Sequence, residues 1–385
     1  MDIDTHLYLV SAQVVPNLTP ALDPEVAPRT VILLCHAGMH AQTEALTAVL
    51  KGRGISVEHW PIDDPWDLEH LQERVLELLA RFSEQPGRIA LNATGGTKPM
   101  SIAAYEVFRA AGAPIFYVHP ELDRLIWMSP ADRPNVELDN RLRLDVFLQA
   151  HGASVESAIG EAVPAARREL TAWLAANTGR LGGALKTLNW LAFKSEGVLR
   201  SPRLDEHSAR DIELRTLIER LESAEVLRFE GGRLHFPDEE ARFYANGGWL
   251  EEHVYDLVRA LRREHQCGIQ DLARSLQIVR RNQRDQPVRN ELDVAFLAEN
   301  RLYLIECKTR QWRNDRDQTG PGSEALFRLD VLADLLGGLQ ARAMLVSYHP
   351  LDKRVKRRAA DLRIQVCDGA KLAELGGVLA RWAGC

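Results

Sequence analysis

Two carboxylates and a lysine lie in stretches that otherwise read as buried β-strand, and this conflict limits what the chain can fold into. The stretches are Leu292-Asp293-Val294-Ala295-Phe296-Leu297 and Arg301-Leu302-Tyr303-Leu304-Ile305-Glu306-Cys307-Lys308. Both are apolar and β-branched enough for a mostly buried sheet. Ala298-Glu299-Asn300 between them predicts a hairpin turn, because Asn tolerates the positive φ such turns need. A buried carboxylate is costly unless it is paired or holds a metal. Asp293 and Glu306-x-Lys308 therefore mark a site at the ends of adjacent strands. Strand alternation places Glu306 and Lys308 on one face and the Cys307 side chain on the other. Asp293, Glu306 and the main-chain carbonyl of Cys307 make a donor set suited to a hard divalent cation such as Mg2+ or Mn2+.

The chain of 385 residues is long enough for two or three domains, each with its own core. Its 48 Lys and Arg against 54 Asp and Glu leave a net charge of −6. Any contact with nucleic acid must then come from local basic patches. Five cysteines are scattered without a CxxC pair, which argues against a zinc ribbon or a disulfide scaffold and points to a reducing cytoplasm. The acidic N-terminus lacks the layout of a signal peptide, and no apolar run approaches the roughly 20 residues of a membrane span.

Residues 1–150 alternate strand and helix. Strands are expected at Leu7–Val10, Thr30–Cys35, Ile55–Trp60, Arg88–Asn92 and Pro114–Val118, with helices at Gln42–Lys51, Pro65–Phe82 and Pro99–Ala111. Such β–α repeats with right-handed crossovers predict a parallel, Rossmann-like α/β sheet. From 151 to 245 the texture changes. Amphipathic helices over Thr171–Leu191 and Asp211–Ala224, then a hairpin around Gly231-Gly232, predict a winged-helix-like linker. The mixed charge of the second helix favours a connector over a DNA reader. Asn246-Gly247-Gly248 opens the last domain, 246–385.

The first domain carries Asn92-Ala93-Thr94-Gly95-Gly96-Thr97-Lys98-Pro99-Met100 between a strand and a helix. A Gly-rich turn running into a helix N-terminus offers successive N–H groups to an anion, and Thr94, Thr97 and Lys98 add hydroxyls and a charge. The spacing is neither Walker A nor GxGxxG. The loop Ser11-Ala12-Gln13-Val14-Val15-Pro16-Asn17-Leu18 after the first strand lies at the same sheet edge, where open parallel sheets bind ligands. Together these motifs resemble the CARF domain (CRISPR-associated Rossmann fold), a family that senses cyclic oligoadenylates and usually works as a homodimer. The resemblance implies that Thr94, Gly95, Gly96, Thr97 and Lys98 contact ligand phosphates. It also implies that Ser11, Gln13 and Asn17 line the pocket. An isologous interface would suit a symmetric ring-shaped ligand.

Asp293 with Glu306-x-Lys308 resembles the restriction-endonuclease-like PD-(D/E)xK pattern, although Leu292 stands where its Pro would be. In that pattern a cation polarises the scissile phosphate and activates water. Lys308 orients or deprotonates the water and offsets transition-state charge. Nucleases of this fold usually begin with a helix that supplies another acid. In Gly247–Val258 the helical spacing puts Glu251 at the edge of the apolar face, so Glu251 is the expected acid, with Glu252 exposed on the opposite side. Basic runs at Arg274–Arg289 and Lys353–Arg363 favour a phosphate-tracking groove. Thr309–Ala325, rich in Gly and Pro, reads as a loop that orders when substrate or activator binds.

A CARF domain, a winged-helix-like linker and a PD-(D/E)xK domain in this order resemble the cyclic-oligoadenylate-activated ancillary nucleases of type III CRISPR defence. That likeness implies cyclic tetra-adenylate as activator, Mg2+ or Mn2+ as cofactor, and DNA, RNA or both as substrate. The alternative is a CARF-type transcriptional regulator with an inactive nuclease-like domain.

Overall fold

The computed structural model describes residues 3–119, 122–139, 141–161, 163–264, 268–282, 284–309 and 321–385. The first sheet contains β1 (Thr5–Leu9), β2 (Thr30–Cys35), β3 (Ser56–Pro61), β4 (Ile89–Asn92), β5 (Ile115–His119), β6 (Arg124–Ser129) and β7 (Val136–Glu137). Its order is β3-β2-β1-β4-β5-β6-β7. The pairs from β3 through β5 are parallel, and β6 and β7 add antiparallel. The crossovers use α1 (Val15–Leu22), α2 (His40–Gly52), α3 (Leu68–Ala80) and α4 (Lys98–Ala110). The order reverses at β1 and β4, so the crevice beyond their C-terminal ends is the switch point where such sheets hold ligands. Tyr8 and Asn92 are register partners there, which brings the Ser11 loop and the Gly-rich turn to one edge as expected.

After α5 (Leu144–Ala150), strand β8 (Ala153–Ile159) leaves this domain. The linking module follows as α6 (Ala165–Ala176), α7 (Thr178–Phe193), α8 (Glu206–Arg210), α9 (Ile212–Ser223), β9 (Arg228–Glu230), β10 (Arg233–His235) and α10 (Glu239–Phe243). The helix expected over Thr171–Leu191 is thus two helices, broken at Asn177, whose φ of −112° and ψ of 12° leave the helical region. Gly231 and Gly232 take φ of +59° and +74° at the tip of the wing.

The last part comprises α11 (Trp249–Arg263), β11 (Ile269–Arg281), β12 (Pro287–Ala298), β13 (Arg301–Lys308), α12 (Pro321–Gly337), β14 (Arg342–Ser347), α13 (Lys353–Asp361), β15 (Gln365–Asp368) and α14 (Leu375–Ala383). Its sheet runs β15-β14-β13-β12-β11-β8. The pairs β8–β11–β12–β13 are antiparallel, and β13–β14–β15 are parallel. Glu299 and Asn300 both have positive φ, 48° and 55°, which makes the β12–β13 connection a two-residue hairpin turn with a twist that suits the strands. The residues just before α12, 310–320, hold most of the expected activation loop and lie outside the described residues.

Sequence periodicity along β12 and β13 divides the core. Ala295, Leu297, Leu302 and Leu304 pack with Leu329 and Leu336 of α12. Val294, Phe296, Tyr303 and Ile305 pack with Leu250, Val254 and Val258 of α11 and Leu375 of α14. The α12-side core continues through Phe147 of α5 into Tyr8, Leu33 and Leu46 of the first domain, so the two sheets share one apolar interior. No helix among the described residues is long and apolar enough to cross a membrane. Cys35, Cys307 and Cys367 are free thiols, and Cys385 is disulfide-bonded.

Candidate active site

The β12–β13 register pairs Val294 with Ile305, which sets Asp293 opposite Glu306 on one face of the sheet. Asp293 and Glu306 retain only 9% and 4% of their exposure. The main-chain N–H of Cys307 donates to Asp293 Oδ2 at 2.7 Å, and Lys308 Nζ lies 2.5 Å from Glu306 Oε1. Burial and the neighbouring Glu306 push the Asp293 carboxyl up to about 7, against the pull of Lys308 and the Cys307 N–H. Burial alone would lower the Lys308 pKa, but Glu306 and Asp293 raise it, so the ammonium stays charged. The Cys307 thiol is buried in the α11-side core and its pKa rises well above the ordinary range. Only its backbone faces the site.

Helix α11 brings Glu251 to this cluster. Its carboxyl, 9% exposed, accepts from Ser275 Oγ at 3.3 Å, and its pKa is raised well above the ordinary range by burial and then by Asp293 and Glu291. Glu252 is not the exposed neighbour that the helical wheel predicts. It is 2% exposed and holds Arg167 Nη2 at 2.7 Å and Arg274 Nη1 at 3.4 Å. The reason is that α6 packs across α11 and delivers Arg167 to the side of α11 that the wheel leaves to water. The entry to α11 is fixed by Gly247, whose φ is +117° and whose absent Cβ would fall 2.1 Å from Thr309 Oγ1. Only glycine allows the chain to pass that close to the residue after Lys308.

Three contributors escape the sequence reading. Ser275, with φ of +47° in β11, and Glu291 on β12 border Glu251. Arg328 of α12 reaches Glu306 Oε1 at 3.6 Å. The first basic run is largely spent: Arg274 is buried against Glu252, Arg289 pairs with Glu156 at 3.1 Å, and Arg281 pairs with Asp285 at 2.9 Å. It forms the two paired strands of a β-hairpin, with the Arg281 and Arg289 side chains exposed. The second run forms α13, anchored by buried Val355 and Ala359, with Lys356 on Asp368 at 2.8 Å. Among the described residues, no three His, Cys, Asp or Glu side chains form a ready-made metal cluster. The donor set of Asp293, Glu306 and the Cys307 carbonyl still suits a cation that binds through one or two carboxylates and keeps several waters.

At the other site, the loop after β1 turns into helix at Val15, with Pro16 in its first turn. Asn17 is therefore inside α1 and 1% exposed. Its amide donates to Leu9 O at 3.1 Å, and its Oδ1 accepts from Asn92 at 3.0 Å. These bonds tie α1 to the strand ends, a supporting role instead of the expected place on a pocket wall. Thr94 is similarly engaged, donating from Oγ1 to Asn92 Oδ1 at 2.7 Å and accepting from Val118 N at 2.8 Å. Gly95 passes so close to β1 that a Cβ would sit 2.3 Å from Leu9 O, and Gly96 turns with φ of +76°. Thr97 caps α4, its Oγ1 accepting from Met100 N at 3.3 Å. Lys98 and Gln13 are exposed, and Ser11 is half-buried, its hydroxyl donating to Gln13 O at 3.2 Å. Gln13 also borders a cleft of about 460 Å3 whose far wall is the end of α12, at Asp334 and Leu335.

Comparison with known proteins follows the same division. Residues 5–145 match the family model of the Card1 CARF domain, and residues 238–384 match that of the Card1-like endonuclease domain. A comparison with curated protein sequences returns no match. The chain is similar to the crystal structure of protein VC1899 from Vibrio cholerae, at 33% identity and a TM-score of 0.89, over 98% of this chain and 97% of that one. It is similar to Can2 from Sulfobacillus thermosulfidooxidans, solved in complex with cyclic tetra-adenylate, at 25% identity and a TM-score of 0.76, over 99% and 97% of the two chains. A type III CRISPR defence DNA nuclease activated by cyclic oligoadenylate shares the fold, at 17% identity and a TM-score of 0.53, over 94% of this chain and 52% of that one. An N-terminal sensor sheet with its Gly-rich turn, followed by a sheet presenting Asp293, Glu306 and Lys308, places this chain in the Card1-like family of CARF-domain endonucleases.

Proposed function

We propose that this protein is a homodimeric nuclease of type III CRISPR defence, switched on in the cytoplasm by cyclic tetra-adenylate, that cuts DNA, RNA or both. The observation that carries the reading is the strand register that sets buried Asp293 opposite buried Glu306 beside Lys308, with the buried carboxyl of Glu251 near enough to feel Asp293, a charge arrangement that asks for a cation. Asp293, Glu306 and the Cys307 carbonyl would hold Mg2+ or Mn2+, with Glu251 as a further acid. When bound, that ion supplies Lewis acidity toward the scissile phosphate. Lys308 orients the attacking water and offsets the developing negative charge, and Glu306 keeps the ammonium in place. The intact constellation argues against an inactive, purely regulatory domain. The working division is 1–150 for sensing, 151–245 for the linker, from which β8 joins the last sheet, and 246–385 for cleavage.

For the sensor, support comes from the Can2 complex with cyclic tetra-adenylate and from the exposed Lys98 at the start of α4. Ser11, Gln13 and the turn Thr94-Gly95-Gly96-Thr97 complete the crevice, with Asn17 and Asn92 holding it from below. Exposed Ile102, Tyr117 and Met128 line a hollow of about 720 Å3 beside α4 and supply an apolar face for a second copy. Helix α12 spans from the cleft beside Gln13 to Arg328 on Glu306, a stiff rod between sensor and centre. The activator must bind the active arrangement better than the resting one, or it shifts nothing.

The test is cleavage of plasmid and single-stranded oligonucleotides with and without cyclic tetra-adenylate and Mn2+. Activity should need both additions and vanish in Asp293→Ala. Wild-type cutting by Asp293→Ala refutes the centre. Lys98→Ala should weaken activator binding in calorimetry, and unchanged affinity refutes the anion cradle.

A further inference from the structure

A third site lies in the linking module. A cavity of about 590 Å3 opens between α7 and the segment before α8. Helix α7 divides its two faces cleanly: Leu181, Ala184, Leu185 and Leu188 enter the core, while Gly183, Lys186, Thr187 and Trp190 recur at helical spacing along the cavity wall. Trp190 is 51% exposed, an unusual position for so large an apolar ring. The opposite wall carries Arg203, held by an extended segment that bonds to the wing through Ser201 N to Leu234 O at 2.9 Å and Leu204 N to Gly232 O at 2.8 Å. Two acids share the rim, but both serve as helix caps. Asp205 accepts from Ser208 N at 2.7 Å, and Asp211 accepts from Leu214 N at 3.1 Å, so helix N-termini offset their charge.

Helix α7, one wall of the cavity, also touches the candidate centre's edge through its buried side. Asn189, next to Trp190, donates to Thr309 O at 3.3 Å, and Thr309 directly follows Lys308. Lys186 acts electrostatically on His349, two residues beyond β14, whose Ser347 is the register partner of Lys308. An aromatic face, two cations and a volume within the range of small-molecule sites thus stand on a helix that also contacts the residue after Lys308.

We propose that this cavity takes one nucleotide of a single-stranded substrate on the flank of the scissile bond, its base stacked on Trp190 and its phosphate between Lys186 and Arg203. Stacking on an aromatic ring accepts any base, so the site would give grip without sequence preference. A duplex, whose bases have no free face, gains nothing from it. The inference rests on the nuclease reading above, and binding measured without cleavage separates the two.

The test uses the full-length protein with cyclic tetra-adenylate and a fluorescent single-stranded oligonucleotide. Anisotropy in Ca2+ reads binding, and Mn2+ assays read KM and kcat. Trp190→Ala should weaken binding and raise KM roughly tenfold, with Trp190→Phe restoring most of it and kcat little changed. Lys186→Ala should lower the salt dependence of binding by about one counterion. Trp190 is exposed, so folding should survive, and a thermal melt checks this. Unchanged binding in both Trp190→Ala and Lys186→Glu overturns the proposal. So does a changed subunit assembly with normal oligonucleotide binding, which makes this face a subunit contact. If the wild type binds the oligonucleotide through Trp190 but never cuts it, the site stands and the nuclease reading falls.

Discussion

Glu251 and Glu252 are adjacent, both buried, and should respond in opposite ways to the same change. Glu252 is a hub: Arg167 Nε lies 3.2 and 3.1 Å from its two oxygens, Arg167 Nη2 lies 2.7 Å from Oε1, and Arg274 Nη1 approaches from the other side. Burial alone would lower the Arg167 pKa, and the bonds to Glu252 instead raise it. The Arg274 side chain is 8% exposed and cannot turn to water once Glu252 is gone, whereas Arg167, 17% exposed, is left with Glu240 at 2.7 Å. Removing one partner of such a buried pair costs about 3–5 kcal/mol. Glu252→Gln should therefore destabilise the fold by several kcal/mol, seen as a lower urea midpoint at unchanged slope. Glu251→Gln removes a carboxylate crowded by Asp293 and Glu291 and keeps the shape, so in EDTA the protein should be as stable as wild type or more so. With Mn2+ and activator, Glu251→Gln should lose most of its cleavage activity. A triple change of Arg167, Arg274 and Glu252 to Met should recover much of the lost stability, because no buried charge of the cluster is then left unpaired. Circular dichroism through a urea titration reads all four proteins. A neutral Glu252→Gln, or a Glu251→Gln as damaging as Glu252→Gln, refutes the division of labour.

Two more outcomes follow from local geometry. Gly247→Ala forces a Cβ into Thr309 at a φ of +117°, so it should cost about 2 kcal/mol or more and displace Lys308, read as a lower urea midpoint together with lost activity. His6, sealed between Tyr8 and Phe116, has its pKa lowered to about 3 by burial and then by Arg133. The unfolded chain then binds more protons between about pH 3 and 6.5, so stability is full above that window and falls on acidification by on the order of 5 kcal/mol. His6→Asn should flatten this slope, and an unchanged slope in acid-denaturation curves refutes the assignment.

The strands of the candidate site were legible because a period-two apolar pattern makes any interior charge conspicuous, and Asp293, Glu306 and Lys308 are such charges. Glu251 was legible from the helical wheel. The same wheel misplaced Glu252, because a wheel knows one helix only, and the partner that buries Glu252 is Arg167, 85 residues earlier in the chain. The pairing of β8 with β11 was hidden for a related reason. Charges interrupt the apolar pattern of β11, and Arg274 among them is neutralised only by the tertiary contact with Glu252. In the sensor, the stretch Ser11–Leu18 reads as a loop, but Pro16, in a first helical turn where proline loses no hydrogen bond, starts α1 instead. That shift of one turn carries Asn17 from the crevice wall to its floor, where its amide satisfies Leu9 O and Asn92. Polar residue type told where the crevice is, but not which side chains face into it.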